Sequence, residues 1–338
     1  MNFHKIIATV MFSVFIHSLY AEQNSSQANY NLFTAAQTNN VELALSALEN
    51  GADYSEYLVD GLTALHIAIL TQSYDVISIL INAGANTQKA IHYQYEGVTP
   101  LQLAIIRQDE KMIDLLLDYG VDTDENEIIH TAIQYFMNNF AINLINQNGD
   151  LYDALDDNRT TLHTAALSNN LTMISWLITQ GIDLSITDDN GDTALHLAAA
   201  YNQEQAISML LANGADINAQ NRFGESPLLQ AVAYNAKQAV SLLIESGSNL
   251  TLADFYDCDP VFVATFNENN EILQLLLDAG APALIEDEYQ ERNSYNQAGS
   301  YLCTADYDAH QENFVINNSS YAAESYDEYG SYESESQQ

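Results

Sequence analysis

The sequence predicts an all-α solenoid of about eight helix-turn-helix repeats, joined by turn-forming fingers and followed by an acidic tail. Three observations predict it. A six-residue phrase recurs as TALHIA from Thr63, TPLQLA from Thr99, TTLHTA from Thr160, TALHLA from Thr193 and SPLLQA from Ser226, with weaker copies from Tyr30, Glu127 and Asp259. The eight starts, 30, 63, 99, 127, 160, 193, 226 and 259, are spaced by 33 except for intervals of 36 and 28 on either side of the third repeat. A glycine stands 21 residues after seven of the eight starts. A period of this length marks units that bury their apolar faces only by stacking on neighbours.

The chain begins with a polar, basic start (Asn2, His4, Lys5), an apolar run from Ile6 to Ile16 and the small Ala21 before Glu22. This layout predicts a secretory signal peptide over residues 1–21, removed after Ala21. The apolar run falls short of the roughly 20 residues a bilayer span needs. No later segment is apolar enough either, so the mature chain is expected to lack a membrane span and to be secreted or periplasmic. A short polar leader, 22–29, precedes the repeats.

Within residues 30–282 each repeat carries its own start and stop chemistry. Thr63, Thr99, Thr160, Thr193, Ser226 and Asp259 have side-chain oxygens suited to capping a helix N-terminus. Pro100, Pro227 and Pro260 follow a cap directly, where a missing N–H is no loss. Gly51, Gly84, Gly120, Gly181, Gly214, Gly247 and Gly280 suit the left-handed residue that ends the second helix. The fourth repeat offers Asn148 in that slot, with Gly149 behind. Gly61, Gly97, Gly191 and Gly224 stand two residues before a start and permit the finger turn. Ala68, Ala104, Ala132, Ala165, Ala198, Ala231 and Ala264 allow close helix approach, while pairs such as Leu115-Leu116 and Leu210-Leu211 fill the inter-repeat core.

These phrases, caps and glycines resemble the ankyrin repeat from Tyr30 to about Pro282. The resemblance implies a β-turn finger and two antiparallel helices per unit, and a partner gripped on a concave face lined by finger tips and the exposed ends of the first helices. Eight residues after each start, that helix-end slot includes Arg107, Tyr135, Tyr201 and Tyr234. The tip positions include Tyr95, Glu96, Asp156, Asp157, Asp189, Asn190, Arg222, Phe223, Phe255 and Tyr256. Aromatic residues gather on repeats six to eight, and a binding patch centred on Tyr201, Phe223, Tyr234 and Tyr256 is expected.

Composition narrows the partner. Forty-six Asp and Glu face eight Lys and Arg, a formal net charge of −38. That field opposes approach to phosphate backbones or anionic lipid and favours a basic protein. Two cysteines, Cys258 and Cys303, lack metal-ligand spacing; a single disulfide between them could persist outside the cytosol.

Catalytic chemistry finds no foothold. His66, His130, His163 and His196 recur in one slot, three residues after each start, where the resemblance implies hydrogen bonds to neighbouring backbone; one His per layer lacks the convergent geometry of a zinc site. Asp122-Thr123-Asp124-Glu125-Asn126 begins like a calcium loop but places Glu127 and Ile133 where Gly and a bidentate acid are required. Asp188-Asp189-Asn190-Gly191-Asp192 reads as a finger turn. No nucleophile elbow, phosphate-cradling Gly loop or HExxH appears, so neither an enzyme nor a resident cofactor or metal is expected.

From Ala283 to Gln338 the period stops. A short helical piece, 284–292, is expected to cover the last repeat, and beyond it lies a tail with twelve acidic residues and eight tyrosines over 283–338, a composition that predicts disorder. The resulting expectation is an exported, non-catalytic adaptor, with a monomer favoured over an oligomer, and the resemblance implies a host-directed secreted factor or a periplasmic helper of another enzyme. The alternative is a structural spacer or surface component whose tail is the working part.

Overall fold

The computed structural model describes residues 27–56, 61–91, 97–123, 126–148, 151–152 and 154–285. The segment read as a signal peptide, nearly all of the piece expected to be helical over 284–292 and the tail lie outside the described residues, as do Tyr95 and Glu96.

Sixteen helices among the described residues form eight pairs. The first, inner helices are α1 (Gln27–Thr38), α3 (Ala64–Leu70), α5 (Pro100–Ile106), α7 (Asn126–Gln134), α9 (Thr161–Leu167), α11 (Ala194–Ala200), α13 (Pro227–Ala233) and α15 (Pro260–Phe266). The outer helices are α2 (Val41–Glu49), α4 (Tyr74–Asn82), α6 (Glu110–Asp118), α8 (Asn138–Asn148), α10 (Leu171–Thr179), α12 (Glu204–Ala212), α14 (Lys237–Glu245) and α16 (Asn270–Asp278). Inner helices pack on the inner helices of adjacent layers, and each packs on its own outer helix. One core therefore runs from Leu32 to Ala281.

The predicted caps explain where the inner helices begin. Thr63, Thr99, Thr160, Thr193, Ser226 and Asp259 are all N-caps in extended backbone, and the three prolines are the first residues of α5, α13 and α15. The alanines of the inner helices, from Ala68 to Ala264, are fully buried, which is what lets adjacent layers approach closely. The stop glycines adopt positive φ, from Gly51 at +81° to Gly280 at +96°.

Three local departures concern the first and fourth repeats. Helix α1 begins at Gln27, inside the segment read as a leader, and Asn29 is buried there, with its side-chain oxygen accepting from the Asp53 backbone N–H at 2.8 Å. Helix α7 begins at Asn126, one residue before the start expected at Glu127. Asn148 does not take the left-handed stop conformation: α8 runs for 11 residues and includes it, where the other outer helices have 9. Without a glycine in that slot the residue there stays helical.

The turn between the two helices of a repeat shows a second period that the glycines do not reveal. Asn39, Gln72, Gln108, Phe136, Asn169, Asn202, Asn235 and Glu268 each have φ between +52° and +62°. Each stands nine residues after a start. Asn is the non-glycine residue best suited to this backbone, and it fills four of the eight positions. Its side chain also reaches the next layer: Asn169 Oδ1 accepts from the Ala206 N–H at 3.1 Å and Asn202 Oδ1 from the Ala239 N–H at 2.9 Å.

Candidate protein-binding face

The fingers are built by one polar residue at their base. Asp188 Oδ1 accepts from the backbone N–H groups of Asn190 and Asp192, both at 2.9 Å. Asn221 does the same for Phe223 and Glu225, and Asp254 for Tyr256 and Cys258. The acid-rich 188–192 segment is thus a finger turn, as expected. Asp254 is pushed above the usual carboxylate range, chiefly by burial, although its two backbone hydrogen bonds act the other way.

Successive tips are tied by backbone. The Asp189 N–H donates to Asp157 O, the Arg222 N–H to Asn190 O and the Phe255 N–H to Phe223 O, each at 2.9 Å. Six predicted tip residues thus carry the rungs themselves, which fixes their spacing from layer to layer. The ladder leaves no room at the turn glycines. A Cβ on Gly191 would lie 2.6 Å from Arg222 N, and one on Gly224 2.8 Å from Phe255 N.

The tip side chains then divide. Asp156, Asp189 and Arg222 are exposed, while Asp157, Asn190 and Phe223 are half-buried. Asp157 pairs with Arg159 at 2.5 Å. Phe255 is 72% exposed and Tyr256 45%, the two large apolar side chains that the eighth finger presents to solvent.

The helix-end residues form a floor beside the fingers. The Tyr201 and Tyr234 rings lie 6.1 Å apart and tilted. Both hydroxyls are pushed above the usual tyrosine range by burial, and for Tyr234 also by the charges of Asp192 and Glu225. These two rings are mostly covered, so they contribute less open apolar area than the sequence suggested. Tyr135 is likewise raised by burial. Arg107 closes α5, and its Nε and Nη1 atoms are buried without a hydrogen bond among the described residues. Its charge is felt at Asp109, where burial favours the neutral acid but hydrogen bonds from Gln72, Tyr74 and the Met112 N–H win, holding the carboxyl low.

Beneath the tyrosines runs a buried polar layer that sequence inspection missed. Asn221 Nδ2 donates to Asp192 Oδ1 at 2.9 Å and to Glu225 Oε2 at 2.8 Å. Gln230 Nε2 donates to Asp192 Oδ1 at 2.7 Å and more weakly to Glu225 Oε2 at 3.4 Å. Gln230 precedes Tyr234 by one helical turn, so finger base and helix end share a face. The signal was Gln230 itself, a polar residue in a slot that holds Leu103 and Leu197 in other layers.

The histidines are parts of the scaffold. His163 Nδ1 accepts from the Thr160 N–H at 3.1 Å, and Nε2 donates to the Asp192 carbonyl at 2.9 Å in the next layer. His196 repeats this with Thr193 at 3.1 Å and the Glu225 carbonyl at 3.1 Å. His130 departs: its Nδ1 meets Thr164 Oγ1 at 2.6 Å. Burial lowers His66 and His196 to about 4 and lowers His163 as well. Among the described residues no three His, Cys, Asp or Glu side chains gather as a metal ion would require, and no helix is long and apolar enough to cross a membrane. Cys258 is buried and disulfide-bonded; Cys303, the only other cysteine, lies outside the described residues.

Comparison with known proteins gives one result. A family profile described as ankyrin repeats (3 copies) matches residues 32–127, 129–221 and 210–287. No curated protein matches the chain.

Proposed function

The chain belongs to the ankyrin-repeat family, whose arrays generally serve protein–protein interaction, and from that premise we propose an exported, non-catalytic adaptor that binds a basic protein on its finger-side face. The observation that carries the proposal is the eighth finger, where Phe255 and Tyr256 stand exposed on a backbone ladder that fixes their position. Large rigid aromatics of this kind are typical interface anchors. The net charge of −38 supports a basic partner and fast, salt-sensitive encounter. Export is supported by the layout of residues 1–21 and by the disulfide at Cys258, a bond retained in oxidising compartments.

Capture of partners from periplasm and culture medium, eluted on a salt ramp, tests the reading with three variants. Phe255→Ser with Tyr256→Ser should abolish specific recovery, Tyr201→Ala with Tyr234→Ala should weaken it, and truncation after residue 285 should preserve it. A partner kept by both aromatic double variants, or lost only with the tail, would overturn the placement. In the second case the spacer reading, with its working tail, takes over. Fractionation of tagged cells tests export, and an unprocessed cytosolic chain would refute it.

A further inference from the structure

We propose that the outer face of repeats four and five is a self-association surface through which two copies of this chain pair about a two-fold axis, a role separate from that of the finger-side face. The first observation is electrostatic. No Asp, Glu, Lys or Arg occurs from Ile128 to Gly149 or from Thr160 to Ile182, in a chain with 46 acidic residues and a net charge of −38. The outer helices of these two repeats, α8 and α10, are therefore uncharged, whereas α6 on one side carries Glu110, Lys111, Asp114 and Asp118 and α12 on the other carries Glu204.

The second observation is packing. Sixteen residues after the start, repeats two, three and five to eight hold large, half-buried apolar residues, from Ile79 to Leu275, but repeat four holds Asn143, which is exposed. An amide in that slot withdraws an apolar contact from the row of outer helices. Helices α10, α12, α14 and α16 pack in succession on one another, while among the described residues α8 makes no comparable contact with α6 or α10. Phe140 and Ile142 on α8 are only half-buried, as are Ile178 and Trp176, the one tryptophan of the chain, in the next layer.

The polar chemistry selects the occupant. The exposed groups of this face are amides and hydroxyls: Asn139, Asn143, Asn146 and Gln147 on α8, and Thr172, Ser175 and Thr179 on α10. An amide or a hydroxyl both donates and accepts, so a copy related by a two-fold axis meets this surface with groups that match it. A basic partner gains nothing from uncharged groups, and two chains of net charge −38 repel wherever their acids face each other. Here a second copy buries apolar surface at Ile142 and Trp176 without bringing carboxylates together.

Sedimentation velocity of the full chain, paired with Trp176 fluorescence on dilution, tests the surface. A concentration-dependent shift from one-chain to two-chain mass is expected, with Trp176 emission moving to the blue as pairs form. Pairing should strengthen as salt rises from about 50 to 500 mM, because the repulsion between the two bodies is screened. Asn139→Asp with Asn143→Asp sets acid against acid across the axis and should weaken pairing at least about tenfold, whereas Asn270→Asp with Gln274→Glu, the same added charge on α16, should leave it within about twofold. Far-UV circular dichroism should be unchanged in both. A one-chain mass at concentrations up to about 1 mM, which already admits very weak pairing, would overturn the proposal. So would pairing that weakens with salt, pairing equally sensitive to the two double variants, or pairing lost on truncation after residue 285, which would assign the contact to the tail.

Discussion

Repeats five to eight and repeats two to four solve the same stacking problem differently. In the former, starts fall every 33 residues, and fingers are tied by one backbone hydrogen bond per layer from Asp157 to Phe255. In the latter, starts are 36 and 28 residues apart, and the described layers are joined by side chains of adjustable reach. Gln102 Nε2 donates to Glu127 Oε2 at 3.0 Å, Tyr74 Oη to Asp109 Oδ2 at 2.9 Å and Gln108 Nε2 to the Tyr135 carbonyl at 2.7 Å. A backbone rung tolerates no change in residue count, whereas a side chain does. The regular half is therefore the one able to hold recognition residues at fixed spacing, and it is where the aromatic tips and the buried polar layer both occur.

The sharpest way to break this contrast is to put a methyl group on the ladder. Gly191→Ala places a Cβ 2.6 Å from the Arg222 backbone nitrogen at a φ of +80°, so left-handed strain and a backbone clash combine to cost roughly 3 to 5 kcal/mol. Gly97→Ala in the irregular half has φ +89° with nothing within 4 Å, so only the strain remains, about 1 kcal/mol. Urea unfolding of the pair measures the difference. Equal losses would mean that the ladder contributes nothing beyond turn conformation.

Next in size is the response to acid. His66 and His196 titrate near 6.5 when unfolded and at about 4 when folded, because burial and, for His196, an Nδ1 already accepting from its capping threonine refuse the proton. The unfolded chain therefore binds more protons between these values. The histidines' contribution to stability is complete above pH 6.5, declines as the pH falls toward 4 and levels off below it, by about 3 kcal/mol per histidine. Gln102 occupies the equivalent slot and caps Thr99 in the same way, with the Thr99 N–H donating at 2.8 Å. His196→Gln should thus fold and flatten the melting-temperature profile between pH 6.5 and 4; a profile that overlays the parent's would show that His196 is not neutral in the fold.

Much of this was legible because it is local and repeated. A Thr before an apolar run, a Pro behind it and a Gly 21 residues on each report a backbone requirement that acts within one layer. The candidate face was legible as positions but not as exposures. Tyr201 and Tyr234 read as open anchors, yet both are mostly covered and their rings face each other across adjacent layers, a result of packing between repeats that no single repeat encodes. Phe255 read as one tip among several and proves 72% exposed, with no described finger following it in the stack. Asn148 read as a stop, since asparagine tolerates the left-handed backbone, but tolerance is not a requirement and α8 includes it as a helical residue.

The helix-to-helix turns sharpen the comparison at lower energy. Asn202, at φ +58°, donates to Gln238 Oε1 at 2.7 Å and accepts from the Ala239 N–H at 2.9 Å. Asn202→Ala loses both bonds and adds strain, about 2 kcal/mol, while Asn202→Gly loses the bonds alone and should cost about half as much. Thermal melts of the two variants separate bridging from conformation.

The smallest effect has the opposite sign. Glu268 occupies the same turn position between α15 and α16 with φ +55°, and among the described residues no further helix pair follows for its side chain to bridge to. A γ-carboxylate there has the strain of the left-handed backbone without the compensating contacts of Asn202. Glu268→Gly removes the strain and gives back part of the gain as chain entropy, leaving a net stabilisation of about 0.5 kcal/mol. If the variant instead melts lower than the parent, Glu268 makes a contact worth more than its strain, and the turn position would be a bridge in every layer, including the one that ends the stack.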